Sequence, residues 1–217
     1  DDITDAIRYE RGGPVVYITF DRPKKLNALT IEMHHQFMAA FRRFNAEPEA
    51  YIAVLQGAGR GFCAGRDINA QADSGRSPTE GVDPEVTHYG LPPVEKIVIT
   101  AGRGPAIGAG GYFLLGGDVR LVSETIHFAL AEVPTAVLGP WWIELSEHLP
   151  PPMAFRVAIG DRISAAELQR WGLVTEVVPD GELEAATQRW VEHLLKLPRE
   201  HLLATKKLLL EYRVRFT

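Results

Sequence analysis

The chain has 217 residues, 46% of them hydrophobic, with 28 acidic against 23 basic residues and a formal net charge of −5. That is enough apolar material for one sizeable core, while the acidic balance and the lack of any Lys/Arg-rich run argue against nucleic acid as a partner. No apolar stretch approaches the roughly 20 residues that span a bilayer, and a lone cysteine, Cys63, excludes an internal disulfide framework and a cysteine-built metal site and fits a reducing, cytoplasmic setting.

In chain order, Val15–Phe20 reads as a strand with Val16, Ile18 and Phe20 on one face. Thr30 is placed to cap a helix whose apolar stripe is Met33, Phe37, Ala40, Phe41 and Phe44, with Pro48 marking its end. The adjacent His34 and His35 point to different sides of that helix, and the seven histidines show no metal-ligand spacing. Ile52–Leu55 is a short strand followed by the turn-rich run Gln56–Gly61. Residues 69–94, rich in Ser, Asp, Glu, Gly and Pro, are expected to form a mobile loop.

Ile97–Thr100 is the next strand, and a glycine-rich turn leads from it into a helix over about 110–115. Val119–Val122 and Ile126–Leu130 read as core strands, and Asp118 is expected to satisfy local backbone donors before the first of them. Helices are predicted over Met153–Ile159, Ala165–Trp171, Leu183–Leu195 and His201–Tyr212, interrupted at Val174–Val178. The stripe Leu183, Ala186, Trp190 and Leu194 is amphipathic at helical spacing. Strands alternating with helices, then helices alone, predict an α/β fold with a core domain over 1–150 and a helical segment over 151–217.

Two turns carry the chemistry. Gly108, Ala109, Gly110 and Gly111 leave backbone N–H groups uncovered where a helix starts, a setting that favours an enolate or a phosphate. Close backbone packing through glycine is the alternative use of such a turn. Upstream, Gly61-Phe62-Cys63-Ala64-Gly65-Arg66-Asp67 forms a second turn after a strand. Two turns of this kind can aim N–H groups at one oxygen from opposite sides, as a thioester becoming an enolate requires. Cys63 itself reads as a small core residue rather than a nucleophile.

Five stretches resemble the crotonase superfamily, which contains enoyl-CoA hydratases and isomerases. Asp21-Arg22-Pro23-Lys24-Lys25-Leu26-Asn27-Ala28-Leu29 is similar to its N-R-P-x-x-x-N-A-L segment, and Gly59–Asp67 to its G-R-x-F-C-A-G-x-D turn. Gly104–Gly110 is similar to G-x-A-x-G-G/A-G, Phe128–Glu132 to F-x-x-P-E, and Ile163–Pro179 to I-x-A-x-E-A…G-L-V-x-x-V-V-P. The resemblance covers nearly the whole chain, in family order. It implies a spiral of ββα units with a C-terminal helical region, incomplete here, and assembly as a homotrimer or dimer of trimers. It implies an acyl-CoA ligand and no cofactor beyond the coenzyme A of the substrate. By position, the oxyanion donors would be the N–H groups of Arg66 and Ala109, with Ala64, Asp67, Ile68, Asn69 and Gly110 beside the thioester and pantetheine arm. Lys24 and Lys25 would contact coenzyme A or stand solvated.

The family's hydratases use two glutamates, one to activate water and one to handle the proton at C2. The second matches Glu132; the first falls at Tyr112, and no other carboxylate lies between Gly104 and Gly117. A tyrosine donates a hydrogen bond but is a poor base at neutral pH. One carboxylate suffices to move a double bond, and Gly139-Pro140-Trp141-Trp142 aligns with the Pro-Phe-Trp of family isomerases. Tyr112, Pro140, Trp141 and Trp142 would line the acyl end and exclude water. The expectation is an enoyl-CoA isomerase acting through Glu132, with a hydratase or other enolate reaction as the alternative and a non-catalytic acyl-CoA-binding homologue as a second.

Overall fold

The computed structural model describes residues 6–70, 91–136, 145 and 148–216. The expected loop over 69–94 therefore lies mostly outside the described residues, as do Pro140 and Trp141. The chain opens with β1 (Ile7–Gly12) and β2 (Val15–Phe20), an antiparallel pair. There follow α1 (Ile31–Ala46), β3 (Ile52–Gly57), β4 (Ile97–Gly102), β5 (Pro105–Ile107), α2 (Ala109–Leu115), β6 (Val119–Ser123) and β7 (His127–Ala129). The C-terminal part holds α3 (Pro151–Ala158), β8 (Ile163–Ser164), α4 (Ala165–Arg170), β9 (Glu176–Val178), α5 (Leu183–Leu195) and α6 (Arg199–Phe216). A six-stranded sheet runs β1-β2-β3-β4-β6-β9, parallel after the first pair, and a three-stranded sheet runs β5-β7-β8.

Alternation along the strands divides the core in two. Val16, Ile18, Phe20, Ala53, Leu55 and Val98 face α1 and α2, whereas Val15, Ile52, Val54, Ile97 and Ile99 face α5. A parallel sheet covered on both faces explains why β3 and β4 read as unbroken apolar runs. Thr30 caps α1 as its sequence predicts, its Oγ1 accepting from the Met33 N–H at 3.1 Å. The stripe of α1 delivers Met33, Phe37, Phe41 and Phe44 fully buried, each worth about 1.5–3 kcal/mol of transfer free energy. Phe37 stacks on Phe20 at 5.3 Å and meets Phe113 of α2 at 4.5 Å, while Phe62 abuts Phe20 edge-on at 5.6 Å. One aromatic cluster thus underlies both glycine-rich turns.

Three strands differ from the sequence reading. β1 carries a period-two signal, Ile7 and Tyr9 half-buried against charged neighbours, that leads into a Gly12-Gly13 turn. β5 and β8 are too short to show any period; their partners, β7 in both cases, supply the pairing. Asp118 also acts over a longer range than expected. Its Oδ2 accepts from the Val98 N–H at 2.8 Å and from Lys206 Nζ at 2.8 Å. Lys206, 7% exposed, donates as well to the Lys96 carbonyl, so a buried ammonium clasps α6 to the sheet. Among the described residues no helix is long and apolar enough to cross a membrane.

Candidate active site

The second turn, 61–67, is wedged between the loop that follows β2 and strand β5. On one side Phe62 N–H donates to Arg103 O (2.8 Å), Cys63 N–H to Pro105 O (2.9 Å) and Ile107 N–H to Cys63 O (3.0 Å). On the other, Leu29 N–H donates to Gly65 O (2.7 Å) and Asp67 N–H to Leu29 O (2.8 Å). The two glycine-rich turns therefore run side by side at almost no separation. A Cβ on Gly65 would lie 2.5 Å from Ile107 O and 3.7 Å from Ala109 N; one on Gly110 would lie 2.1 Å from Cys63 O. Gly65 also holds φ +84, which disfavours any L side chain.

This packing sets the turn that carries the Arg66 N–H against the start of α2, which carries the Ala109 N–H. Neither finds a backbone acceptor among the described residues. For Ala109 the reason is its place at the first position of α2, where an intrahelical partner does not exist.

Two braces were not evident from the sequence. Asn27, fully buried at φ 57, donates from Nδ2 to Ala58 O (3.0 Å), Gly61 O (2.7 Å) and Phe62 O (3.2 Å) and accepts from Arg22 N–H (2.8 Å). Arg22 reaches Asp67 Oδ2 at 2.7 Å and the Ala28 carbonyl at 2.8 Å. Burial alone would raise the Asp67 carboxyl; hydrogen bonds from Arg22 and the Ala70 N–H, with the charges of Arg22 and Lys25, outweigh it and hold it below the ordinary carboxylate range. Asp67 is therefore a strut of the turn. The Arg22-Pro23 and Asn27-Ala28-Leu29 residues that define the first motif are its other half.

Glu132 is delivered by β7. Gly108 N–H donates to Ala129 O at 2.8 Å, and a Cβ on Gly111 would touch Phe128 and Leu130 at 3.1 and 3.2 Å, so α2 and the exit of β7 are in contact. Of the apolar neighbours in sequence, Phe128 and Leu130 are fully buried, but Val133 is exposed on a 3-10 turn. Glu132 is half-buried; its Oε2 is fully buried and accepts no hydrogen bond of standard geometry. Tyr112, 5% exposed, stands against this carboxylate. Burial first, then the Glu132 charge and hydrogen-bonding toward it, push the phenol above its ordinary value, so it stays protonated.

The remaining expected residues surround this centre. Ala64 is half-buried and Gly110 buried, whereas Arg66, Ile68 and Asn69 present exposed side chains. Although exposed, the Arg66 guanidinium is crowded enough by neighbouring atoms that desolvation lowers its pKa. Lys24 and Lys25 are exposed on the 3-10 turn Pro23–Lys25. Among the described residues no group of His, Cys, Asp and Glu could hold a metal ion. Cys63 is fully buried, and burial pushes its thiol up to about 12 despite a hydrogen bond with the Gly65 backbone. The native protein is expected to resist a thiol reagent at pH 8 and to react once unfolded; rapid labelling of native protein would refute the burial.

A solved enoyl-CoA hydratase from Mycobacterium tuberculosis superposes with TM-score 0.81 at 28% identity, covering 96% of this chain and 89% of that one. The α/β spiral with a helical C-terminal region, expected from the sequence, is thus the crotonase fold. A family model described as Enoyl-CoA hydratase/isomerase matches residues 10–212. A Rhodobacter capsulatus protein named "Probable enoyl-CoA hydratase" is 32% identical over 213 residues, 93% of this chain and 80% of the relative. The 1,2-epoxyphenylacetyl-CoA isomerase of Escherichia coli is 29% identical over 194 residues, 85% of this chain and 74% of the relative. The chain belongs to the enoyl-CoA hydratase/isomerase family of the crotonase superfamily.

Proposed function

We propose that this chain is an enoyl-CoA isomerase. The thioester oxygen of a 3-enoyl-CoA accepts from the Arg66 and Ala109 N–H groups, and Glu132 removes a proton from C2. The C–H electron pair moves into the conjugated system to give a dienolate whose negative charge rests on that oxygen. Glu132, now a carboxylic acid, returns the proton to C4, and the double bond ends between C2 and C3. Preorganised amides suit this step because they need no reorganisation as charge develops. No cofactor is consumed.

The observation that carries the choice of reaction is the partner of Glu132. Where a water-activating carboxylate would be needed, the site holds the protonated phenol of Tyr112. A phenol held protonated cannot serve as a base for water. Ala64, Asp67, Ile68, Asn69 and Gly110 would border the thioester and pantetheine, Lys24 and Lys25 the coenzyme A phosphates, and Pro140 and Trp141 the acyl end. We place the exposed Phe155, Leu208 and Leu209 in subunit contacts of a homotrimer or dimer of trimers.

Incubation with 3-enoyl-CoA is expected to give a conjugated product of unchanged mass with rising ultraviolet absorbance. The name of the Rhodobacter capsulatus relative favours a second reading, hydration. A 2-enoyl-CoA product heavier by one water, without isomerisation of the 3-enoyl substrate, would replace the first reading with the second. No change with either substrate would leave acyl-CoA binding alone.

A further inference from the structure

Glu132 occupies an awkward place for a base. It precedes an exposed 3-10 turn, Val133–Thr135, and no ion pair fixes its carboxylate among the described residues. A glutamate has three side-chain torsions, and an unheld one spreads over several rotamers. Yet its Oε2 is buried without a standard hydrogen bond. Burying a carboxylate oxygen in that condition is costly unless a donor closes on it.

Tyr112 is the reverse case. It has two torsions, lies in the aromatic and aliphatic core, and sits on α2 only three residues beyond Ala109. The helix that supplies one amide of the carbonyl site therefore also carries a rigid hydroxyl to the carboxylate. Because α2 is tied to β7 through Gly108 N–H and Ala129 O, hydroxyl, amide and carboxylate belong to one mechanical unit.

Resting on the reading of Glu132 as the base, we infer that Tyr112 is a positioning residue for it: the phenolic O–H donates to the carboxylate and selects the rotamer that addresses C2.

The test compares wild type, Glu132→Gln and Tyr112→Phe on 3-hexenoyl-CoA in D2O, following deuterium uptake at C2 and C4 together with kcat and KM. Binding of hexanoyl-CoA and thermal melting are measured alongside. Tyr112→Phe is expected to lower kcat about ten- to a hundredfold, the range for a hydrogen bond to a charged group, with hexanoyl-CoA binding within about twofold of wild type. Wild-type kcat in Tyr112→Phe, while Glu132→Gln is inactive, overturns the inference and leaves the base assignment standing. A loss confined to KM or to melting temperature also overturns it. Absence of isomerised product from 3-hexenoyl-CoA with wild type overturns both. Should the Phe variant fail to fold, Tyr112→Met, likewise lacking the hydroxyl, is read in its place.

Discussion

Glu132→Gln is expected to bind a saturated acyl-CoA as wild type does and to lose roughly a hundred- to ten-thousandfold in turnover, the range general acid–base groups contribute. The amide has the shape of the acid and accepts no proton at neutral pH. Ligand affinity should survive because the carbonyl contacts proposed at positions 66 and 109 come from the main chain of other segments. Calorimetric titration with hexanoyl-CoA and the absorbance assay on 3-hexenoyl-CoA separate the two quantities. Full turnover in the variant would remove Glu132 from the reaction. Loss of binding together with turnover would point instead to a carboxylate that shapes the pocket.

Gly65→Ala is expected to damage the carbonyl site itself. The added methyl would lie 2.5 Å from Ile107 O, a backbone atom that cannot swing aside, and 3.7 Å from Ala109 N. The turns must part for it, and φ +84 adds strain of about 1–3 kcal/mol. If the separation removes one donor from the enolate, kcat/KM should fall about 10²–10³-fold, since a single donor is worth about 2.7–4 kcal/mol. Gly13→Ala is the control: its φ is +63, but nothing stands within 4 Å of the new methyl. It should lose stability from the backbone alone and keep its activity. Equal kcat/KM in the two variants would show that the pair of turns does not hold the carbonyl.

Where local pattern and tertiary packing agree, the sequence was sufficient. The Thr30 cap with the Met33, Phe37, Phe41 stripe marks α1, and Leu183–Leu195 has the same bounds in sequence and structure. β3 and β4 were legible because both faces are covered, which makes each a continuous apolar run. The short strands β5 and β8 were not, since they exist only through partners distant in the chain, whereas the equally short β7 showed in the apolar run Ile126–Leu130. Ser164 carries a local signal of its own, Ser-x-x-Glu before a helix, realised as a capping box between Ser164 and Glu167.

The site divides along the same line. Glycines at 65, 108 and 110 were visible because only they tolerate such turns. Arg22 and Asp67, 45 positions apart, gave no hint of their ion pair, and Asn27 none of its three carbonyls. Long-range polar contacts leave no periodicity behind. The approach of Tyr112 to Glu132 depends likewise on α2 docking against β7, a relation that spacing does not encode.

The cradle proposed for the thioester oxygen is assembled from peptide groups, and one carboxamide at position 27 staples the turn that carries half of it. Peptide groups persist through almost any exchange of side chains around them. Replacements at 112 or 132 can thus redirect what becomes of an enolate without dismantling the means of holding one, leaving this scaffold free to acquire new reactions a residue at a time.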